Sequence, residues 1–394
     1  MLAACIVVTV LTCLVGLTWI LRHVLINREC TRGFTLESDY PGPPDDPPKI
    51  SVVVAAKDEE VCISQCVSTM LDQDYPNFEI IVCNDRSEDR TAAIVERIAA
   101  EDSRVRLVNI EHLPDGWCGK NNAMQVGIAS ARGRWICMID ADCRQTSDRT
   151  LSVAMQYARQ TGADLLSVLP RLEMRGFWEN VIQPVCSGVM MIWFNPAKVN
   201  NPQKPNAYAN GAFMMMRRET YDAIGTHEAV RDQVNEDMHM AARVKQLGLK
   251  LRVVRTEGLY VVRMYTSLRQ ILRGWARIFF GTFGTFKRLT VSFLVMAAMG
   301  LLPYTAAAVG FSSAGGSNGV LWLVCGWAGL AATAAQLTVI FRYYRLLGVS
   351  GLLTWTYPLG CGMTLMVLIS SMTKLLPGSA VVWKNTTYAK TNKR

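Results

Sequence analysis

The sequence predicts an α/β protein, a doubly wound and mostly parallel sheet joined to one N-terminal and about three C-terminal transmembrane helices. Three observations predict it. Strand and helix signals alternate between residues 49 and 169, acids stand where the strand signals end, and long uncharged apolar stretches occupy both ends of the chain. Alternation of this kind builds a parallel sheet with helices on both faces.

At the N-terminus, residues 2–21 (LAACIVVTVLTCLVGLTWIL) carry no charge, and about 20 such residues cross a bilayer as a helix. The stretch is too long for a signal peptide and no basic residue precedes it. Arg22, His23 and Arg28 follow it. Positive residues stay cytoplasmic, so residues 1–26 read as an anchor with its N-terminus outside. Residues 27–48 read as a linker, ending in the proline-rich tether YPGPPDDPP.

The strand signals that follow are KISVVVAA (49–56), FEIIVCND (78–85), VRLVNI (105–110), RWICMID (134–140) and residues 164–169. Helix signals lie between them at 59–73, 89–101, 120–131 and 148–161, and YANGAFMMMRR (208–218) reads as a further strand. Residues 177–196 are too polar at their start to span a membrane and too apolar for a loop. A buried helix of the domain, and an acceptor groove or membrane-dipping segment, both stay open there.

At the C-terminal end, residues 291–311 and 319–341 are strong spans, and 351–373 is a weaker one interrupted by Pro358 and several glycines. Lys287 and Arg288 precede these spans, and Arg342 and Arg345 follow the second of them. The charge rule then places residues 22–290 in the cytoplasm. The expected division is a cytoplasmic domain at 49–265, an amphipathic interfacial helix at 266–288, a transmembrane region at 289–376 and a basic tail at 377–394. A fourth full span would put that tail outside, against the rule. A re-entrant or interfacial last segment therefore stays open.

The net charge is +9. Its basic residues sit beside the spans and in one motif below, which attraction to an anionic lipid leaflet explains more simply than a nucleic-acid partner, so no nucleic acid is expected. The twelve cysteines show no Cys-x-x-Cys spacing, so they read as reduced, small apolar residues without a zinc site.

Ligands of open parallel sheets bind beyond the carboxyl ends of the strands. Asp58, Glu59 and Glu60 follow the first strand signal, Asp85 ends the second, and Asp140 and Asp142 close the fourth. Like charges gathered on one rim repel, so a cation or a ligand with matching donors is implied. Mg²⁺ and Mn²⁺ take carboxylate oxygens together with substrate phosphates. No GxxxxGK[ST] loop and no Gly-rich dinucleotide fingerprint is present. A metal bridging Asp142 and a diphosphate is the better picture. Lys120, in GWCGKNNA (116–123) just ahead of a helix, offers a positive group to the same diphosphate.

In order along the chain, VVVAAKDEE, VCNDRSEDRT, GKNNA, IDADC, NEDMHM and QILRGWAR resemble a family 2 glycosyltransferase over about residues 49–280. The resemblance implies the GT-A fold and a metal-dependent, inverting hexosyl transfer. The chain is most similar to membrane-bound lipid glycosyltransferases of the ceramide glucosyltransferase and hopanoid- or carotenoid-associated type. That implies a UDP-sugar donor, a membrane lipid acceptor and Mg²⁺ or Mn²⁺.

By the same resemblance, Asp58 and Glu59 line the uridine pocket, although the family usually has Asn where Asp58 stands. Asp85 accepts from the uracil ring, Asp140 touches the ribose or the metal's surroundings, and Asp142 binds the metal. Glu236 and Asp237 open the amphipathic helix 236–247, where acids also suit the helix dipole; the family match makes Asp237 the base and puts Glu236 beside the acceptor. Arg269, Arg273 and Arg277 share one helical face. The family's Gln/Arg-x-x-Arg-Trp motif assigns Gln270 and Arg277 to the acceptor and Arg273 and Trp275 to the donor, with Gly274 intervening before Trp275. A polysaccharide synthase, a polyprenyl-phosphate glycosyltransferase and a non-catalytic membrane scaffold are the competing readings.

Overall fold

The computed structural model describes residues 2–30, 34–316, 318–376, 380–383 and 386–389, without the side chains of 27–30 and 380–389. The remaining residues of the expected basic tail lie outside the described residues. The chain divides into two compact units. One comprises residues 34–173, 193–264 and 380–394; the other comprises 1–33, 174–192 and 265–379.

The first unit is built on an eight-stranded sheet. Its strands are β1 (Thr35–Glu37), β2 (Ile50–Ala56), β3 (Phe78–Asp85), β4 (Val105–Ile110), β5 (Trp135–Asp140), β6 (Leu165–Leu169), β7 (Phe213–Arg217) and β8 (Leu251–Glu257). Their order is β1-β8-β6-β7-β5-β2-β3-β4. Every neighbouring pair is parallel except those that β7 makes with β5 and β6.

Successive side chains of a strand point to opposite faces, and here both faces are covered. Val52, Val54, Ile80, Val82, Cys137 and Ile139 join the helices Ile63–Leu71 and Thr150–Thr161 in one core. Val53, Ile81, Cys83, Ile136 and Met138 join the helices Gly119–Ser130 and Glu236–Gln246 in another. Continuous apolar strands are what a doubly covered parallel sheet requires, so the predicted fold class holds.

Among the boundaries that differ from the sequence reading, three have a local explanation or consequence. The helix expected at 59–73 is Ile63–Leu71; ahead of it the amides of Glu59 and Glu60 bond to Thr91 Oγ1 and Asp89 Oδ2. The strand expected at 208–218 is only Phe213–Arg217; the amide of Asn210 turns to Ser167 Oγ and that of Gly211 to Asp237. The segment expected at 266–288 is two helices, Leu268–Phe283 and the start of Phe286–Ser312. They part at Gly284, whose φ of 61° suits glycine.

Among its described residues the second unit contains four helices long and apolar enough to cross a membrane, at Leu2–Ile26, Phe286–Ser312, Gly319–Leu346 and Gly351–Thr373. Pro358, which reads in sequence as a break, lies in the first turn of the helix Tyr357–Thr373, where its missing N–H costs nothing. The segment expected at 177–196 is the helix Phe177–Trp193, and residues 174–192 belong to this unit rather than to the sheet. Tyr343 donates to Pro184 O at 2.9 Å, and Gly360 lies so close to Val181 O that a Cβ would sit 2.4 Å from it.

Candidate active site

The strands β2, β3 and β5 run side by side in parallel, with Ala55 paired to Asp140 and Ala56 to Asn84. Their carboxyl ends therefore share one edge, and the segments that follow carry the acids. Lys120 stands in the first turn of the helix Gly119–Ser130. Its Nζ lies 2.7 Å from Asp140 Oδ1 and 2.8 Å from Glu236 Oε1. Glu236, only 4% exposed, opens the helix Glu236–Gln246. One ammonium thus joins the end of β5 to the start of that helix, and it offsets the cost of burying Glu236.

Asp237 is the next residue. Its Oδ2 accepts the Gly211 amide at 2.8 Å and its Oδ1 accepts the Met238 amide at 2.7 Å. Burial, and then the neighbouring Glu236, raise its carboxyl to about 7. Gly211 belongs here for a spatial reason. A Cβ at this position would lie 3.0 Å from Lys120 Nζ and 3.5 Å from Asp237 Oδ2.

Asp142 stands on the other side of Asp140 in sequence. Its Oδ1 is sealed from solvent without a hydrogen-bond partner. Burial, then Asp140, then Glu59 raise its carboxyl to about 7. The thiols of Cys66 and Cys143 are buried nearby. Burial and these two aspartates push both well above the ordinary thiol range, so they stay neutral. Among the described residues no group of three or more His, Cys, Asp or Glu is arranged to hold a metal alone. The orphaned Asp142 oxygen, with Asp140 and Glu59 beside it, nevertheless fits a divalent cation that takes one or two carboxylates and completes its shell with ligand phosphates.

Other expected site residues are engaged locally. Asp58 adopts a φ of 51°. Its amide donates to Ser87 Oγ at 3.0 Å and its Oδ1 accepts the Glu88 amide at 2.8 Å, so it clasps the loops after β2 and β3. Glu60 pairs with Arg90 at 3.0 Å. Asp85 is 4% exposed and holds Arg86 through two bonds of 2.8 and 3.1 Å. It packs under Gly119, where a Cβ would lie 2.3 Å from its Oδ2.

Gln270, Arg273, Trp275 and Arg277 lie on the helix Leu268–Phe283 of the other unit. Ile271, Gly274, Trp275 and Phe279 form its buried face, Arg273 is exposed and Arg277 half-buried. Gly274, which departs from the family pattern, is demanded by Tyr265, since a Cβ there would lie 2.1 Å from the tyrosine ring. Gln270 Oε1 accepts the Thr266 amide at 3.0 Å.

Two residues escaped the sequence reading. Asn121 is 1% exposed, and its Nδ2 reaches the carbonyls of Val230, Arg231 and Gln233 at 2.8, 3.2 and 2.9 Å. It fastens the segment leading into Glu236 and Asp237 to the helix that carries Lys120. Two consecutive asparagines inside a helix were the only signal. His227 is fully buried; its Nδ1 lies 2.7 Å from Tyr221 Oη and its amide donates to Gln125 Oε1 at 3.1 Å. Burial, then Lys120, lower its pKa to about 3, which keeps it neutral. No sequence pattern marked it.

Known proteins similar to this chain include glycosyltransferases. The model of glycosyl transferase family 2 matches residues 51–225. The chain is 23% identical over 264 residues to 4,4'-diaponeurosporenoate glycosyltransferase of Staphylococcus haemolyticus, covering 66% of this chain and 68% of that one. It is 26% identical over 193 residues to beta-monoglucosyldiacylglycerol synthase of Trichormus variabilis, where the match spans 48% of this chain but only 40% of the relative. Among solved structures, the mannosyltransferase PcManGT from Pyrobaculum calidifontis, in complex with GDP-Man and Mn²⁺, superposes with a TM-score of 0.55 at 20% identity. That superposition covers 95% of this chain and 98% of the other, and it shows the likeness of fold.

Proposed function

From the match of residues 51–225 to the model of glycosyl transferase family 2, we propose that this protein moves a sugar from a UDP-sugar to a hydroxyl of a membrane lipid, with inversion. The observation that carries the reading is the pairing of a proton-accepting carboxylate with a cation and acids at one sheet edge. Asp237 is held by the Gly211 amide, one residue from the Glu236–Lys120–Asp140 chain of ion pairs. The lipid acceptor is supported by the four helices able to cross a membrane and by relatives whose names specify a diaponeurosporenoate and a diacylglycerol product. The cytoplasmic placement of residues 49–265 and the interfacial role of the helix bearing Arg273 belong to the same proposal.

Each residue then has a task. The acceptor oxygen attacks the anomeric carbon from the face opposite the diphosphate, and Asp237 takes the hydroxyl proton as that bond forms. The bond from the anomeric carbon to the diphosphate breaks, and its electron pair leaves with the diphosphate. Lys120 exchanges part of its pairing with Asp140 for the charge that builds there. Asp142, with Asp140 and Glu59 near it, would hold Mg²⁺ or Mn²⁺, which when bound supplies Lewis-acid charge to the diphosphate. Asp58 and Asp85 fix the loops after β2 and β3 on the nucleoside side. The roles that the resemblance assigns on the helix Leu268–Phe283, Gln270 and Arg277 toward the acceptor and Arg273 and Trp275 toward the donor, belong to the same proposal.

The test is a transfer assay on membranes containing the full chain, supplied with radiolabelled UDP-sugars. Label extracted into organic solvent supports a lipid product. Label retained in a high-mass polar fraction would establish a polymer synthase instead, and no incorporation with any UDP-sugar would remove the donor assignment.

A further inference from the structure

Within the unit of apolar helices, a cavity of about 530 Å³ is lined by Ile26, Phe341, Arg342, Arg345 and Leu346. Its walls come from the ends of two helices, Leu2–Cys30 and Gly319–Leu346. These helices run in the same direction. Gly16 meets Ala332, where a Cβ would lie 3.2 Å away, and seven residues on, His23 Nε2 lies 2.9 Å from Thr338 Oγ1. His23 Nδ1 in turn accepts from Arg342 at 3.1 Å. Because arginine only donates, this bond runs from the guanidinium to the ring nitrogen and orients the guanidinium beside the cavity.

The cavity thus pairs two guanidinium groups with three apolar side chains, at the end of helices long enough to cross a bilayer. Such an end is where lipid headgroups lie. The charge of the C-terminal sequence is one-sided. After Glu257 the sequence contains no Asp or Glu and thirteen Lys and Arg. Guanidinium forks match phosphate oxygens in pairs, and basic pockets between membrane helices accept anionic headgroups.

From these observations we infer that the cavity is a binding site for an anionic phospholipid. Arg342 and Arg345 hold its phosphate, and Ile26, Phe341 and Leu346 receive the first part of its acyl chains. None of these five residues has a role in the proposed sugar transfer, and the inference does not rest on that reading.

The experiment uses the full chain in detergent, titrated with phosphatidylglycerol or phosphatidylcholine and read as bound-lipid adducts by native mass spectrometry. Phosphatidylglycerol is expected to bind more tightly than phosphatidylcholine. Arg345→Gln is expected to weaken phosphatidylglycerol binding about fivefold, and Arg342→Gln similarly. Arg345 is exposed, so its variant carries the test if Arg342→Gln fails to fold. Arg134→Gln, an equal charge change at a side chain 76% exposed in the other unit, should bind like the wild type. Equal affinity for the two lipids overturns the proposal, as does undiminished binding by Arg345→Gln. Displacement of the lipid by excess inorganic phosphate would overturn the lipid assignment in favour of a soluble phosphate. The measurement reads binding alone, so its failure is distinguishable from failure of the transferase reading.

Discussion

The amide of Gly211 donates to Asp237 Oδ2 at 2.8 Å. This bond connects the loop ahead of β7 to the first turn of the helix Glu236–Gln246, and it leaves Asp237 close to Lys120 without a direct ion pair between them. A carboxylate placed so is buried enough to keep a proton affinity near neutrality, yet is oriented by two backbone donors. Asp237→Asn should retain donor binding and lose turnover. Isothermal titration with UDP and a transfer assay check the two halves, and wild-type turnover would remove Asp237 from its role.

The raised carboxyl of Asp237 also sets a pH dependence. As a base it must be deprotonated, so kcat/KM should rise with pH and level off above about 7. The stability effect has the opposite sign. Between the unfolded value near 3.8 and the folded value near 7 the native state binds more protons, so this group's contribution to stability falls as pH rises. Asp237→Asn should therefore melt higher than wild type at pH 8 and nearly level with it at pH 4. Thermal melts at the two pH values decide it.

Lys120 holds two carboxylates, one of them almost fully buried. Lys120→Met should leave Glu236 uncompensated and cost about 2 kcal/mol, less than for a fully buried pair because Lys120 is itself part-exposed. Adding Glu236→Gln should recover part of that loss. Denaturant melts of the single and double variants measure the coupling.

Gly211→Ala tests spacing rather than charge. The added methyl would meet the mobile end of Lys120 at 3.0 Å, so the fold should survive within about 1 kcal/mol. Turnover should drop about tenfold, because small displacements of reacting groups are costly. Steady-state kinetics beside a thermal melt separate the two effects.

Asp142→Ala removes the carboxylate whose Oδ1 has no partner. Mn²⁺-dependent strengthening of UDP binding should disappear while metal-free binding stays. Unchanged titration with Mn²⁺ present would count against Asp142 as a ligand.

Much of this was legible in the residue order. The strands at 50–56, 78–85 and 135–140 are largely apolar on both faces because both faces are covered, and that pattern is local. The acids at strand ends were visible because parallel strands must end at a common edge. The break at Gly284 and the short strand Phe213–Arg217 were not legible. Both depend on which distant group takes a backbone amide or leaves room for a turn.

The sequence by itself determined the element types, the placement of Asp58, Glu59, Asp85, Asp140 and Asp142 at strand ends, and the apolar stretches at either end, since periodicity and charge are read within a few residues. Tertiary structure alone decided that Lys120 joins Asp140 to Glu236, that Asn121 holds carbonyls more than a hundred residues away, and that residues 174–192 leave the sheet unit for the apolar helices. Hydrogen bonds and ion pairs act over about 3 Å in space whatever the separation along the chain, and only folding sets those distances.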